Sequence, residues 1–275
     1  MTNILIIARK EIQEGLRNRW VLATTLLLAT LALTLSFLGS APTGSVGINR
    51  LDVVVVSLSS LTIFLVPLIA LLISHDAIVG EAERGTMLLL LSYPLSRSAV
   101  MLGKFLGHVS ILAFATLFGY GIAALGLRLT GTGIDAGSWQ SFALMVASSV
   151  LLGAVFIAIG YLTSTLANER STAGGIAIGI WLFFVLIYDM ALLGALVAGQ
   201  GQSMPGGLLD LLLVANPTDA YRLLNLSSGG ASALSGMGGI AGHTRLSTPV
   251  LVGALGLWTL VPLAVANFIF ARREV

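Results

Sequence analysis

Long apolar runs alternate with short polar breaks along this chain, and the runs set its architecture. Six of them lie at about 20–38, 53–74, 99–127, 139–167, 173–198 and 248–270. A helix needs about 20 residues to cross the hydrocarbon of a bilayer, so these runs predict six transmembrane helices. The third and fourth exceed that length and are expected to tilt or to project from the bilayer. Ahead of them, residues 3–19 mix apolar and charged positions at helical spacing. Leu5, Ala8, Ile12 and Leu16 share one face, whereas Arg9, Lys10, Glu14 and Arg17 lie elsewhere. That pattern predicts a helix over 1–19 in the membrane interface, its basic side chains toward anionic headgroups. The plainer alternative is a solvated extension of the first span.

Composition agrees with the pattern. The chain of 275 residues is 56% hydrophobic and only 9% charged, with a mean hydropathy of +0.98. A soluble domain of this size needs far more charge on its surface. The expected fold is an all-α integral membrane protein, one transmembrane domain over 1–275, with no internal repeat of 20–50 residues. Its 32 glycines suit close helix packing in lipid. There is no cysteine, which excludes disulfides and thiolate chemistry on this chain. The basic N-terminus and the run after it could suggest a cleaved leader. That run is too long for one, and Pro42 follows the small residues Gly39, Ser40 and Ala41, so it reads as an uncleaved first span.

The basic residues predict the orientation. With the N-terminus in the cytoplasm, Arg9, Lys10, Arg17, Arg19, Arg84, Arg97, Lys104, Arg170, Arg272 and Arg273 fall inside or near the inner surface, and Arg50, Arg128, Arg222 and Arg245 fall outside. An even number of spans then places both termini inside, as the positive-inside rule prefers. On the inner side the break at 75–98 is long, and 168–172 is a tight turn. On the outer side 39–52 and 128–138 are short, but 199–247 is long and holds an apolar stretch from Leu208 to Leu226. Asn216 and Pro217 interrupt that stretch in the order of a helix cap and a first-turn proline. Short helices at or above the outer surface, or partly re-entrant, are expected there.

The break at 75–97 is the most distinctive stretch. Glu81, Glu83 and Arg84 cluster within it, between long apolar runs on either side. Hydrocarbon cannot hold these charges, so the segment is expected to project into water and meet a partner there.

Candidate chemistry is sparse. A phosphate-cradling loop needs a run of glycines before a lysine. The two lysines are Lys10 and Lys104, and no such run precedes Gly103-Lys104. The three histidines, His75, His108 and His243, are scattered, as are the seven methionines, so neither a zinc site nor a soft-metal relay is expected. Asp189, beside Tyr188, sits well inside the fifth run. A carboxylate at mid-membrane costs about 2.5–3.5 kcal/mol on insertion scales. Two readings stand for it: a translocation path or dimer interface, or a protonated carboxyl bonded to a neighbouring helix. His108 reads as structural. Gly103 and Gly107, and likewise Gly175 and Gly179, have the spacing that lets helices approach closely, within one subunit or between two.

The stretch Gly80-Glu81-Ala82-Glu83-Arg84-Gly85-Thr86, the leucines 88–91, and Ser92-Tyr93-Pro94-Leu95-Ser96-Arg97 together resemble the signature of ABC-2 type transporter permeases. The basic N-terminal helix, six spans, the tight turn at 168–172 and Asn216-Pro217-Thr218-Asp219-Ala220-Tyr221-Arg222 extend the resemblance over essentially the whole chain. It implies that the segment after the second span is a coupling helix that docks into a groove of a separate ATPase. Glu81, Glu83, Arg84, Gly85, Thr86, Leu88, Leu89, Pro94 and Arg97 would serve that contact, with Glu169 and Arg170 of the second turn. ATP and Mg would belong to the ATPase, and no cofactor, metal or catalytic group is expected on this chain.

Within the family the chain is most similar to permeases of the transporters that serve assembly of the copper–sulfide centre of nitrous oxide reductase. That resemblance implies a homodimer in the bacterial inner membrane, a cytoplasmic ATPase dimer and a periplasmic binding protein. Asn216, Pro217, Asp219 and Arg222 are the candidate contacts for the last. It also implies carriage of a sulfur-containing species or mechanical action on the periplasmic partner. The residues themselves offer no soft ligands for copper, and no thiol for covalent sulfur carriage. Membrane lipid is an expected partner and nucleic acid is not. An exporter of lipid, drug or ion without a periplasmic partner remains the second reading, and a stand-alone channel or enzyme using Asp189 the third.

Overall fold

The computed structural model describes residues 2–38, 50–93, 95–129, 136–198, 206–226 and 246–273. Residues 1, 39–49, 94, 130–135, 199–205, 227–245 and 274–275, Pro94 among them, lie outside these. The described residues form helices and no strand: α1 Thr2–Leu16, α2 Arg19–Leu38, α3 Arg50–Ser74, α4 Val79–Glu83, α5 Thr86–Leu91, α6 Arg97–Leu129, α7 Ala136–Leu166, α8 Arg170–Leu182, α9 Tyr188–Ala198, α10 Gly206–Ala215, α11 Pro217–Leu226 and α12 Thr248–Arg272. Five stretches are long and apolar enough to cross a membrane: Val54–Glu83, Arg97–Gly126, Ala136–Leu166, Arg170–Ala198 and Thr248–Arg272. A sixth is reached only when α1 and α2, which meet at 69°, are taken together. The fifth run is not one regular helix, because a π-helical turn, Phe183–Ile187, separates α8 from α9.

The centre of the bundle is α7, which packs on α3, α6, α8, α11 and α12. Its glycines admit those neighbours. A Cβ on Gly160 would lie 1.9 Å from Ser74 Oγ, and one on Gly153 would lie 2.0 Å from Leu112 Cδ2. The apolar stretch of α7 is accordingly 72% buried, against 11% for that of α8–α9. Hydrocarbon offers a buried hydroxyl no partner, so the core tyrosines find their own. Tyr120 meets Thr62 at 2.6 Å, Tyr221 meets Ser149 at 3.0 Å, and Tyr161 meets His108 Nδ1 at 2.8 Å.

The N-terminal helix α1 does not simply extend α2, the plainer of the two expectations; through Ile4, Ile7, Ala8 and Glu11 it lies on Gly103 and Gly107 of α6. One placement differs from the expectation drawn from the runs. Helix α11 is not at the surface. Though among the most polar in sequence, it is buried over its whole length apart from half-buried Arg222, and it packs against α3, α7 and α12. It can be buried because its polar groups are paired: Asn225 donates to Ser148 Oγ at 3.0 Å and to Tyr221 O at 2.9 Å.

Candidate functional site

At the end of α3 the chain leaves the bundle through two very short helices, α4 and α5. Backbone N–H groups that begin a helix have no partner within it. Here Ser164 of α7 supplies one, its Oγ accepting from Ile78 N at 3.0 Å and Val79 N at 3.1 Å. The junction between α4 and α5 needs a left-handed residue, and Gly85 provides it at φ 70°. No atom crowds the position of its missing Cβ, so conformation rather than space requires the glycine. Val79, Gly80 and Met87 are buried, whereas Glu83, Arg84, Thr86, Leu88, Leu89 and Tyr93 are exposed. The segment therefore does not project whole into water: one side is anchored and the other is free.

The tight turn at 168–172 packs beside it. Arg170 holds Asp76 at 2.7 Å, and its backbone N–H donates to Glu83 Oε1 at 2.7 Å. Glu169 precedes the first turn of α8 in extended conformation, with its carboxylate accepting from Ser171 Oγ at 3.3 Å. Arg97 opens α6 and donates to the carbonyls of Phe270 and Arg273 at the end of α12. Arg273 in turn donates to Thr165 O at 2.8 Å and Ala167 O at 3.0 Å, satisfying carbonyls at the end of α7.

Glu81 faces inward. Its Oε1 lies 2.7 Å from Lys104 Nζ, which is also 2.8 Å from Glu11 Oε1. Lys104 is almost fully buried, and His108 stands beside the cluster, its Nε2 3.7 Å from Glu11 Oε2. Of the residues expected to serve an outside partner, Glu81, Glu83, Arg97, Glu169 and Arg170 have contacts within the chain, and Thr86 donates to Glu81 O at 3.2 Å. Arg84, Thr86, Leu88 and Leu89 form the outward face. Asp76, Ser164, Arg273, Glu11 and Lys104 were not singled out from the sequence. A lysine well within an apolar run was the one available signal, since it demands a counter-charge.

A second cluster lies farther along the bundle, where Asp189 sits roughly 28 Å along the helix axis from Arg170 at 1.5 Å per residue. Within the π turn the carbonyl of Phe184 accepts from Asn216 Nδ2 at 3.1 Å and Thr218 Oγ1 at 3.2 Å. Asn216 Oδ1 accepts from Thr218 N at 3.1 Å, capping α11 ahead of Pro217. Arg222 donates to Asp189 Oδ2 and to Asp219 Oδ1, each at 2.6 Å, and Asn216 donates to Asp219 Oδ2 at 2.9 Å. Tyr188 donates to Leu212 O at 2.8 Å. Burial pushes the Asp219 carboxyl up to about 7, with Asp189 adding to the effect and Arg222 opposing it.

The structure thus joins Asp189 to the residues expected to meet a periplasmic partner. Asn216, Pro217 and Asp219 are buried, so an outside protein could reach them only if α11 were unpacked. Asp189 is paired with an arginine of α11. The cluster opens onto a cavity of about 210 Å³ walled by leucines of α9 and α10. Among the described residues no group of three or more His, Cys, Asp or Glu could hold a metal ion.

Residues 5–275 match the model of the ABC-2 family transporter proteins. The chain is 49% identical over 276 residues to the probable ABC transporter permease protein NosY of Pseudomonas aeruginosa, covering all of both chains. It is 48% identical over 276 residues to the protein of the same name from Stutzerimonas stutzeri, covering 99% of each. An apolar helical bundle with a small anchored segment at one end, matched over nearly its full length to these permeases, belongs to the ABC-2 transporter family and is the membrane permease subunit of an ABC transporter.

Proposed function

We propose that the segment 75–97 receives the movement of a separate ATPase and passes it to six membrane-spanning helices. The observation that carries this is the division of α4 and α5 into an anchored and a free side. Val79, Gly80, Glu81 and Met87 are held by the bundle, while Arg84, Thr86, Leu88 and Leu89 stand exposed. Two adjacent exposed leucines beside an arginine offer apolar area and charge to a groove. Both termini lie on the ATPase's side, the cytoplasm, in keeping with the distribution of basic residues.

The rest of the assembly belongs to the same reading and is supported by the likeness to those permeases. Two copies of this chain in a bacterial inner membrane, two ATPases and a periplasmic protein form the transporter, which serves maturation of the copper–sulfide centre of nitrous oxide reductase. Its cargo is a sulfur-containing species held without covalent attachment, as a chain without cysteine requires, or its cycle acts mechanically on the periplasmic partner. The burial of Asn216, Pro217 and Asp219 moves that partner's contacts elsewhere on the outer loop. The pairing of Asp189 with Arg222 speaks against a stand-alone channel built on Asp189.

Arg84→Glu combined with Leu89→Asp tests the central point, because both side chains are exposed and neither supports α4. The variant is expected to reach the membrane and to elute as the parent does, yet to lose the ATPase on purification. Retention of the ATPase with nucleotide turnover unchanged would sink the proposal.

A further inference from the structure

A single buried ammonium group joins three parts of the chain that are distant in sequence. Lys104 of α6 lies between Glu11 of α1, at 2.8 Å, and Glu81 of α4, at 2.7 Å. The side chains are almost sealed: Lys104 is 3% exposed, Glu11 8% and Glu81 13%. Lys10 approaches the same Glu11 oxygen at 3.9 Å, and His108 approaches the other at 3.7 Å. His108 is turned by its bond to Tyr161, which holds Nδ1 and leaves Nε2 toward Glu11. The second oxygen of Glu81 is buried without a hydrogen-bond partner, so Lys104 carries that carboxylate alone.

The packing around the cluster is equally tight. A Cβ on Gly107 would lie 2.5 Å from Glu11 Cβ, and one on Gly103 would lie 2.7 Å from Ile7 Cβ. Helix α1 is therefore seated on the backbone of α6 on either side of Lys104. If α4 moved without α6 and α1, it would part Glu81 from Lys104 and leave that buried carboxylate unpaired, and breaking such a pair is strongly unfavourable.

We infer that Glu11, Lys104 and Glu81 are a charge clamp that makes α1 part of the moving lever. Displacement of the α4–α5 segment by the ATPase carries α1 with it, and Lys104 is the positioning residue that transmits the movement. The clamp rests on the reading of 75–97 as the coupling segment. It adds that the N-terminal helix is a driven element rather than a passive anchor.

The absence of cysteine makes the test direct. Spin labels are introduced by Ile6→Cys on α1 and Ser92→Cys after α5, both exposed positions, each paired with Leu260→Cys at an exposed position of α12, outside the clamp. Labelled chain is diluted with unlabelled chain in the complex with the ATPase, in lipid nanodiscs. Distances are compared with and without ATP and vanadate. Both are expected to shift together, on the order of 2 Å or more. In Glu11→Gln, which leaves Lys104 paired with Glu81, the Ser92→Cys distance still shifts and that from Ile6→Cys loses at least half its change. Lys104→Met gives the same result where it folds. If the segment moves while α1 stays still in the parent, the clamp is wrong and the coupling reading survives. If α1 follows undiminished in Glu11→Gln, the clamp is likewise wrong. A segment that does not respond to nucleotide overturns both.

Discussion

Lys104 lies between Glu11 and Glu81, and Arg222 lies between Asp189 and Asp219, so each region of this bundle holds one cation between two carboxylates. The likeness stops there. Lys104 draws together residues from α1, α4 and α6 and is closed from every side. Arg222 spans the junction of α9 and α11, is 21% exposed, and borders a cavity. An ammonium is a compact point charge that can be enclosed by two acids, whereas a guanidinium presents a planar fork that serves two acids side by side. The enclosed cluster fixes elements to one another. The open one fixes α11 against a helix that is locally unwound, and keeps an edge to solvent or ligand.

Breaking each cluster should expose that difference. Lys104→Met leaves Glu81 without a cation and Glu11 with only the more distant Lys10, and is expected to destabilise the chain by about 3–5 kcal/mol. Arg222→Met at the more open cluster should cost about 1–3 kcal/mol. Thermal unfolding of the two variants in detergent, followed by loss of the monodisperse peak, compares them; equal losses would remove the distinction between sealed and open.

Crowding the seat of α1 is the next largest perturbation. Gly107→Ala puts a methyl group against Glu11 Cβ and should cost about 1–3 kcal/mol by overpacking. Gly179→Ala has nothing within reach among the described residues and should be neutral or gain up to about 1 kcal/mol from helix propensity. A clear loss of stability at Gly179 in the purified assembly, and not in the isolated chain, would show that a neighbouring copy sits there. At the Arg222 cluster, Asn216→Ala removes both the cap of α11 and a donor to Phe184 O, and about 1–2 kcal/mol should be lost.

The smallest effect is with pH. The Asp219 carboxyl is raised from 3.8 to about 7, so the folded chain holds a proton that the unfolded chain has released. Stability from this group is therefore full below about pH 4, falls as pH rises toward 7, and is level above that. Asp219→Asn should flatten this slope in unfolding midpoints measured from pH 5 to 8, and a slope unchanged in the variant would assign it to another group.

Some of this was legible in the residues. Apolar runs separated by polar breaks locate helices because hydrocarbon leaves backbone groups no other partner. Asn216-Pro217 announces the start of α11 because a side-chain acceptor followed by a residue without an N–H suits a helix's first turn. The Gly103 and Gly107 spacing marks a close approach, though Gly175 and Gly179, with the same spacing, face open space within this chain. Spacing alone does not say which helix arrives. Likewise, Glu81 and Glu83 look alike in sequence, yet one is drawn in by Lys104 and the other reaches Arg170 N.

The sequence by itself determined that this chain is a membrane-embedded helical bundle with a charged segment after its second apolar run, because burying that many apolar residues in water-facing surface is impossible and burying those charges in lipid is costly. Only the tertiary structure decided which charges face inward and that α11 is buried. It also decided that Asp189 answers to Arg222. Those outcomes depend on pairs as far apart in sequence as 93 residues, and no local pattern encodes which distant partner a buried charge will find.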